Sequence, residues 1–178
     1  MIAVLDACVL YPTVLRQILL GTARAGLIEP LWSARILEEW RRTAERRAPG
    51  DGIFASGEMA RMRAAWPEGE IAPDPAGEAA LWLPDPGDIH VLATALAGGA
   101  EAIITLNLKD FPARELVGHG ITARHPDALL YAFWQDRPDD IAAIVETTYE
   151  AARPHTDLTL RALLKRARLP RLGKALAG

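Results

Sequence analysis

The chain opens on a short apolar run, Ile2 to Leu5, that ends in an acid, Asp6. That pattern predicts a buried strand with a carboxylate at its carboxyl end. Pro12 suits a first helical turn, and Val14, Leu15, Ile18, Leu19 and Ala23 then keep helical spacing to about Gly26. Ser33 is placed to cap a second helix reaching Arg47, on which Ile36, Leu37, Trp40 and Ala44 share one face. Pro49 to Gly52 reads as a loop, with a further helix over Ala55 to Ala65. Residues 66–86 are rich in Pro, Gly and acids, with a candidate short strand at Glu70–Ala72. Asp88 is placed to cap a helix to about Ala97, which Gly98 and Gly99 stop. Ala102 to Thr105 and Gly120 to Ala123 read as two more strands. From Pro126 onward the apolar spacing is helical only, broken at Pro138, Pro154 and Pro170.

Short strands alternating with helices predict an α/β fold with a short parallel sheet flanked by helices. The expected division is a three-layer domain over residues 1–124 and a helical C-terminal extension over 125–178. In open parallel sheets, sites form beyond the carboxyl ends of the strands. Asp6 and the segment Asn107 to Asp110 fall at such ends, and Asp88 opens a helix at an edge. The topology therefore gathers distant acids on one rim.

Composition narrows the chemistry. There are 178 residues, half of them apolar, and a single cysteine, Cys8. An internal disulfide and a zinc site of paired cysteines are both excluded, and Cys8 is expected to pack as a small hydrophobe. The apolar start lacks a basic leader and is interrupted by Asp6, so it is not read as a signal peptide. The apolar stretch around Ile89 to Ala100 carries His90 and is too short for a bilayer. A cytoplasmic protein with no membrane contact is expected. The net charge of −3 is unevenly spread. Residues 153–178 hold seven Lys/Arg and one acid, hence +6, whereas residues 1–152 hold 13 basic and 22 acidic side chains, hence −9. An acidic body needs a reason, and a basic tail can supply a phosphate contact.

Four separated acids give that reason: Asp6, Glu39, Asp88 (with Asp85 beside it) and Asp110. Hard cations such as Mg²⁺ and Mn²⁺ take oxygen ligands. Carboxylates converging without a cation would repel and raise one another's pKa. A divalent ion relieves that repulsion and can activate water against a phosphodiester. Each acid also has an ordinary use. Asp6 could cap a turn, Glu38 and Glu39 could pair with Arg42 on a solvated helix face, Asp85 and Asp88 could serve as turn and cap residues, and Asp110 could end a loop.

The order of these acids resembles the PIN-domain family, and within it the VapC-like toxin ribonucleases of bacterial toxin–antitoxin pairs. LDACVLYP is similar to the family's opening strand-and-acid motif, and ILEEW to its helical glutamate motif, with Glu39 rather than Glu38 at the matching position. PDPGDIHVLATALAGGAEAIITLNLKDFP is the most specific block. It puts Asp88 and Asp110 at metal-binding positions and Thr105 and Asn107 at polar supporting ones. HPDALLYAFW begins a stretch similar to the helical extension of one toxin subgroup. Gly87 stands where many relatives carry another acid.

The resemblance implies metal-dependent RNA cleavage, with Asp6, Glu39, Asp88 and Asp110 around Mg²⁺ or Mn²⁺. It also implies RNA as substrate, a cognate antitoxin and, possible for such proteins, a homodimer. Thr105, Asn107 and Arg42 are the expected substrate-side residues, Arg42 as one of a group with Arg35, Arg41, Arg46 and Arg47 on the helix of Glu39. Trp66 and Trp82 are candidates for stacking on bases, while Trp32, Trp40 and Trp134 sit in core-like contexts. His90 is expected to be packed or capping rather than a base.

Two rivals remain. A haloacid-dehalogenase-like phosphatase wants a second acid two residues after the first, where this chain has Cys8. A PIN fold without catalysis would only grip RNA or a protein.

Overall fold

In a computed structural model, which describes residues 1–176, four parallel strands form one sheet in the order β2-β1-β3-β4. Strand β1 (Ile2–Leu5) leads through the short helix α1 (Ala7–Leu10) and α2 (Thr13–Arg24) to β2 (Glu29–Leu31). Helices α3 (Ala34–Arg47), α4 (Asp51–Ala65), α5 (Pro75–Ala79) and α6 (Ile89–Ala97) follow before β3 (Ala102–Ile104). Helix α7 (Ala113–Leu116) precedes β4 (Thr122–Arg124). The extension is helical throughout: α8 (Pro126–Asp136), α9 (Pro138–Ala152), α10 (Leu160–Arg166) and α11 (Pro170–Leu176).

The registers Ala3↔Pro30, Val4↔Ile103 and Ile103↔Ala123 bring the carboxyl ends of β1 and β3 side by side. From β1 the chain moves outward to β2, and from β3 it moves the other way to β4. The topological switch point therefore lies between β1 and β3, where open parallel sheets form a crevice. Right-handed crossovers place α2 on one face and α6 and α7 on the other. The strands carry Ala3, Val4, Leu5, Ile103 and Ile104 with no exposure, as a two-sided sheet requires.

Several elements depart from the expected pattern for identifiable reasons. β2 carries Pro30, which masks its strand signal and which an edge strand tolerates. The strand expected at Glu70–Ala72 is reduced to a single bridge, Trp32↔Glu70. Helix α4 starts at Asp51, earlier than Ala55. Gly50 takes φ +95 there, and the Glu45 carboxylate of α3 accepts from the amides of Gly50 and Gly52, so the cap comes from a neighbouring helix. β4 begins at Thr122 because Gly120, at φ +71, still belongs to the preceding turn. Ser33 caps α3 as expected, its Oγ accepting from Ile36 N at 3.3 Å.

One core joins the sheet to the extension: Leu129, Leu130, Ile141, Val145, Leu164, Leu169 and Leu172 belong to the same buried cluster as the strands. At Gly21 on α2 an added Cβ would stand 2.5 Å from Ile144 Cγ2 on α9, so the helices meet at a point with no room for a side chain. A groove of about 1200 Å³ opens beside this contact, lined by residues of α2, α4, α9 and α10. None of the candidate acids lines it. Among the described residues no helix is long and apolar enough to cross a membrane.

Candidate metal centre

Asp6 leaves β1 with its amide donating to Ile104 O of β3 at 3.1 Å, which ties its position to the switch point. Its side chain does not cap α1. The carboxylate is turned inward, only 7% exposed, and Oδ2 accepts from Thr105 Oγ1 at 2.7 Å and from Cys8 Sγ at 3.0 Å. Cys8 is thus a hydrogen-bonding partner rather than the inert hydrophobe expected. Burial first, and Asp6 second, push its thiol up to about 12, so it keeps the proton it donates. Leu106 N donates to the same sulfur at 3.2 Å, fixing the loop after β3.

Thr105 is fully buried and links two of the acids. While donating to Asp6, its Oγ1 accepts from Asn107 N at 3.0 Å, and Asn107 Nδ2 donates to Asp110 Oδ2. Both polar residues expected to support the site therefore orient carboxylates: Thr105 holds Asp6 and Asn107 holds Asp110.

On the facing loop, Asp85 accepts from Gly87 N at 2.8 Å and so starts the single 3-10 turn of Pro86–Asp88. Asp88, in contrast, makes no capping bond and leaves its carboxylate free. The turn places residues 85 and 88 on one side, where they meet Asp110. Carboxylate oxygens of Asp85, Asp88 and Asp110 all lie within 4.8 Å of one another. Asp88 is the most perturbed of them. Burial raises its pKa to about 6, with further contributions from Asp6, Asp85 and Asp110, partly offset by His90.

Glu39 stands outside this triad. Its Oε1 lies 2.9 Å from Nε2 of the buried His90 and 3.6 Å from Arg35 Nε. The His90 approach is off the line of a good hydrogen bond, and Nδ1 of that ring has no partner. His90 also acts on Asp88, so the ring is near both the glutamate and the acidic cluster. Arg42 is not at the cluster. It is exposed and donates to Glu38, which Arg41 also grips, and these bonds hold the Glu38 carboxyl down at about 2. The pairing with Arg42 thus belongs to Glu38, while Glu39 keeps a looser solvated pair with Arg35. Trp82 is 58% exposed three positions before Asp85, whereas Trp66 packs edge-on against Trp32.

The cluster has the donor chemistry of a hard-cation site: three carboxylates close together, a fourth acid behind them, and one carboxyl, that of Asp88, held above its ordinary pKa by burial first and by the neighbouring acids second. The PIN-domain family profile matches residues 3–109, well over half of the chain. The chain belongs to the PIN-domain family. Neither curated proteins nor solved structures gave a match. PIN domains are in general metal-dependent nucleases, and the convergence of Asp85, Asp88 and Asp110 is compatible with that activity. Asp85 is the member of the cluster that the motif pattern left undecided. Its signal was the three-residue spacing to Asp88 across Pro86-Gly87, which a single 3-10 turn folds onto one side.

Proposed function

We propose that this PIN domain is an endoribonuclease that uses Mg²⁺ or Mn²⁺, and that it is the VapC-like toxin of a bacterial toxin–antitoxin pair acting in the cytoplasm. The observation that carries the nuclease reading is the meeting of Asp85, Asp88 and Asp110 at the sheet's switch point, with Asp6 behind them. In this reading Asp88 and Asp110 hold the cation together with Asp85 and, directly or through water, Asp6. A bound divalent ion lowers the pKa of water and stabilises charge on the phosphodiester. The chain's own residues do the rest. Thr105 and Cys8 keep Asp6 oriented, Asn107 steers Asp110, and Glu39, beside His90, is a fifth carboxylate at the edge of the cluster. The exposed face of Trp82 offers a stacking surface for an unpaired base.

The test is cleavage of a mixed single-stranded RNA by the purified chain. Cleavage is expected with Mg²⁺ or Mn²⁺ and none in excess chelator, and it should return on adding back the ion. Cutting that persists in chelator removes the metal mechanism. The toxin reading has a separate test: expression should arrest growth, and the Asp110→Asn variant should not. Growth that is unaffected while the purified chain cuts RNA would leave a nuclease that is no toxin. A cognate antitoxin would be expected to place a basic side chain among the carboxylates, where an arginine is held bidentately.

A further inference from the structure

Strand β4 is parallel to β3, so its carboxyl end opens on the same rim as the acidic cluster. Thr105 N donates to Arg124 O at 3.1 Å across that pair. His125, the next residue, caps α8 by accepting from Asp127 N. The buried Asp127 carboxylate then reaches the far end of the chain: it accepts from Arg171 N at 2.9 Å and from Leu172 N at 3.0 Å. These two bonds fasten the start of α11 to the strand end that borders the site. Arg168, which turns α10 into α11 at φ +65, sits close enough to His125 to help lower its pKa, after burial as the main cause.

The surface presented by α10 and α11 is cationic and unpaired. Arg161, Lys165, Arg168 and Lys174 are all exposed, and none forms an ion pair among the described residues. No large hydrophobic side chain of these two helices is exposed, so the surface lacks the apolar anchors of a protein-docking face. The remaining body carries −9 and repels a polyanion. We propose that Arg161, Lys165, Arg168 and Lys174 form a track for the phosphate backbone of single-stranded RNA, fixed beside the acidic rim by Asp127. The partner is RNA because charge complementarity without apolar contact describes backbone binding. The track rests on the ribonuclease reading for its biological sense, but binding and cutting are measured apart.

The experiment uses the full chain and a fluorescein-labelled 20-nucleotide RNA of mixed sequence. Anisotropy is read in EDTA between 50 and 300 mM NaCl, and cleavage separately in Mg²⁺. The triple variant Lys165→Gln, Arg168→Gln, Lys174→Gln should bind about tenfold more weakly at the lowest salt. Its log–log salt slope should be shallower by about 2, near 0.7 for each lost contact to a single strand. Neutralising three cations scattered over other elements, Arg24→Gln, Arg114→Gln, Arg137→Gln, should change affinity by less than about threefold, the effect of net charge alone. Circular dichroism and melting establish that both variants are folded. An unchanged slope in the track variant, an equal loss in the scattered variant, or a wild type that binds no RNA overturns the track. If the wild type binds through the track but never cuts with Mg²⁺ or Mn²⁺, the track stands and the nuclease reading falls. If the wild type cuts while the track variant binds as tightly, the reverse holds.

Discussion

Replacing Asp88 by Asn is expected to abolish RNA cleavage and, in chelator, to make the protein more stable. Loss of activity should exceed about 100-fold, since even outer partners of a metal site are worth about 10–100-fold. The gain in stability follows from the raised pKa, about 6 in the fold against an ordinary 3.8. Below 3.8 both folded and unfolded chains hold the proton and nothing is lost. Between 3.8 and about 6 the unfolded chain ionises while the fold resists, so wild-type stability falls as pH rises. Above about 6 the whole penalty is present. One pKa unit is about 1.4 kcal/mol, and solvent around the half-buried carboxyl screens part of the shift, leaving about 1–2 kcal/mol. Paired melting curves in chelator should show Asp88→Asn ahead by that margin at pH 7 and level with wild type near pH 4. Adding Mg²⁺ should close the gap at neutral pH, because only wild type gains binding energy. A variant that melts lower in chelator would mean that Asp88 holds the fold together and is not strained by its neighbours.

The largest loss of stability is expected from Glu58→Ala. Arg16, 1% exposed, is buried where α1, α2, α3 and α4 come together. Its Nη1 donates to Leu10 O at 2.6 Å and Tyr11 O at 3.3 Å, and its guanidinium lies 4.7 Å from the centre of the Trp40 ring. Glu58 Oε2 is 3.7 Å from Nη2, near enough to balance the charge but too far for a hydrogen bond, and Nε has no partner at all. Burial lowers the Arg16 pKa and Glu58 opposes it, so the glutamate is what keeps the cation tolerable in the core. Removing one member of such a pair costs roughly 3–5 kcal/mol, read as a lower urea midpoint. The double variant Arg16→Met, Glu58→Leu should recover most of the loss, since an apolar pair of similar volume leaves no buried charge. Equal losses in single and double variants would put the stability in the arginine's bonds to Leu10 and Tyr11 instead.

The sequence made the sheet's centre plain and its margins obscure. β1 and β3 are apolar on both faces and end in polar residues, Asp6 and Thr105, a signature that survives without neighbours. β2 contains a proline, and α4 is capped by Glu45 from another helix, so the causes of both lie outside their own segments. The acids of the rim were legible because order along the chain maps onto strand ends. Their grouping was not. Asp85 joins the close triad through a 3-10 turn, and Glu39 points to His90 because α3 and α6 meet in space. The polar role of Cys8 was hidden for the same reason: Asp6 is two residues away, but Thr105 and Leu106 arrive from the other strand.

The position of β3 between β1 and β4 also sets an order of events during synthesis. Thr105 bonds Asp6 across 99 positions, and β1 cannot complete its second edge until Ala102–Ile104 has been made. A growing chain can pair β1 with β2 early, yet it leaves the other edge of β1 open for most of its length. Such an edge is a liability in a crowded cell. The same delay keeps Asp85 and Asp88 apart from Asp110 until the switch-point crevice closes. High contact order makes that closure slow relative to local helix formation. The carboxylate centre therefore appears late and all at once, and a nascent or prematurely ended chain stopping short of β3 has no assembled centre.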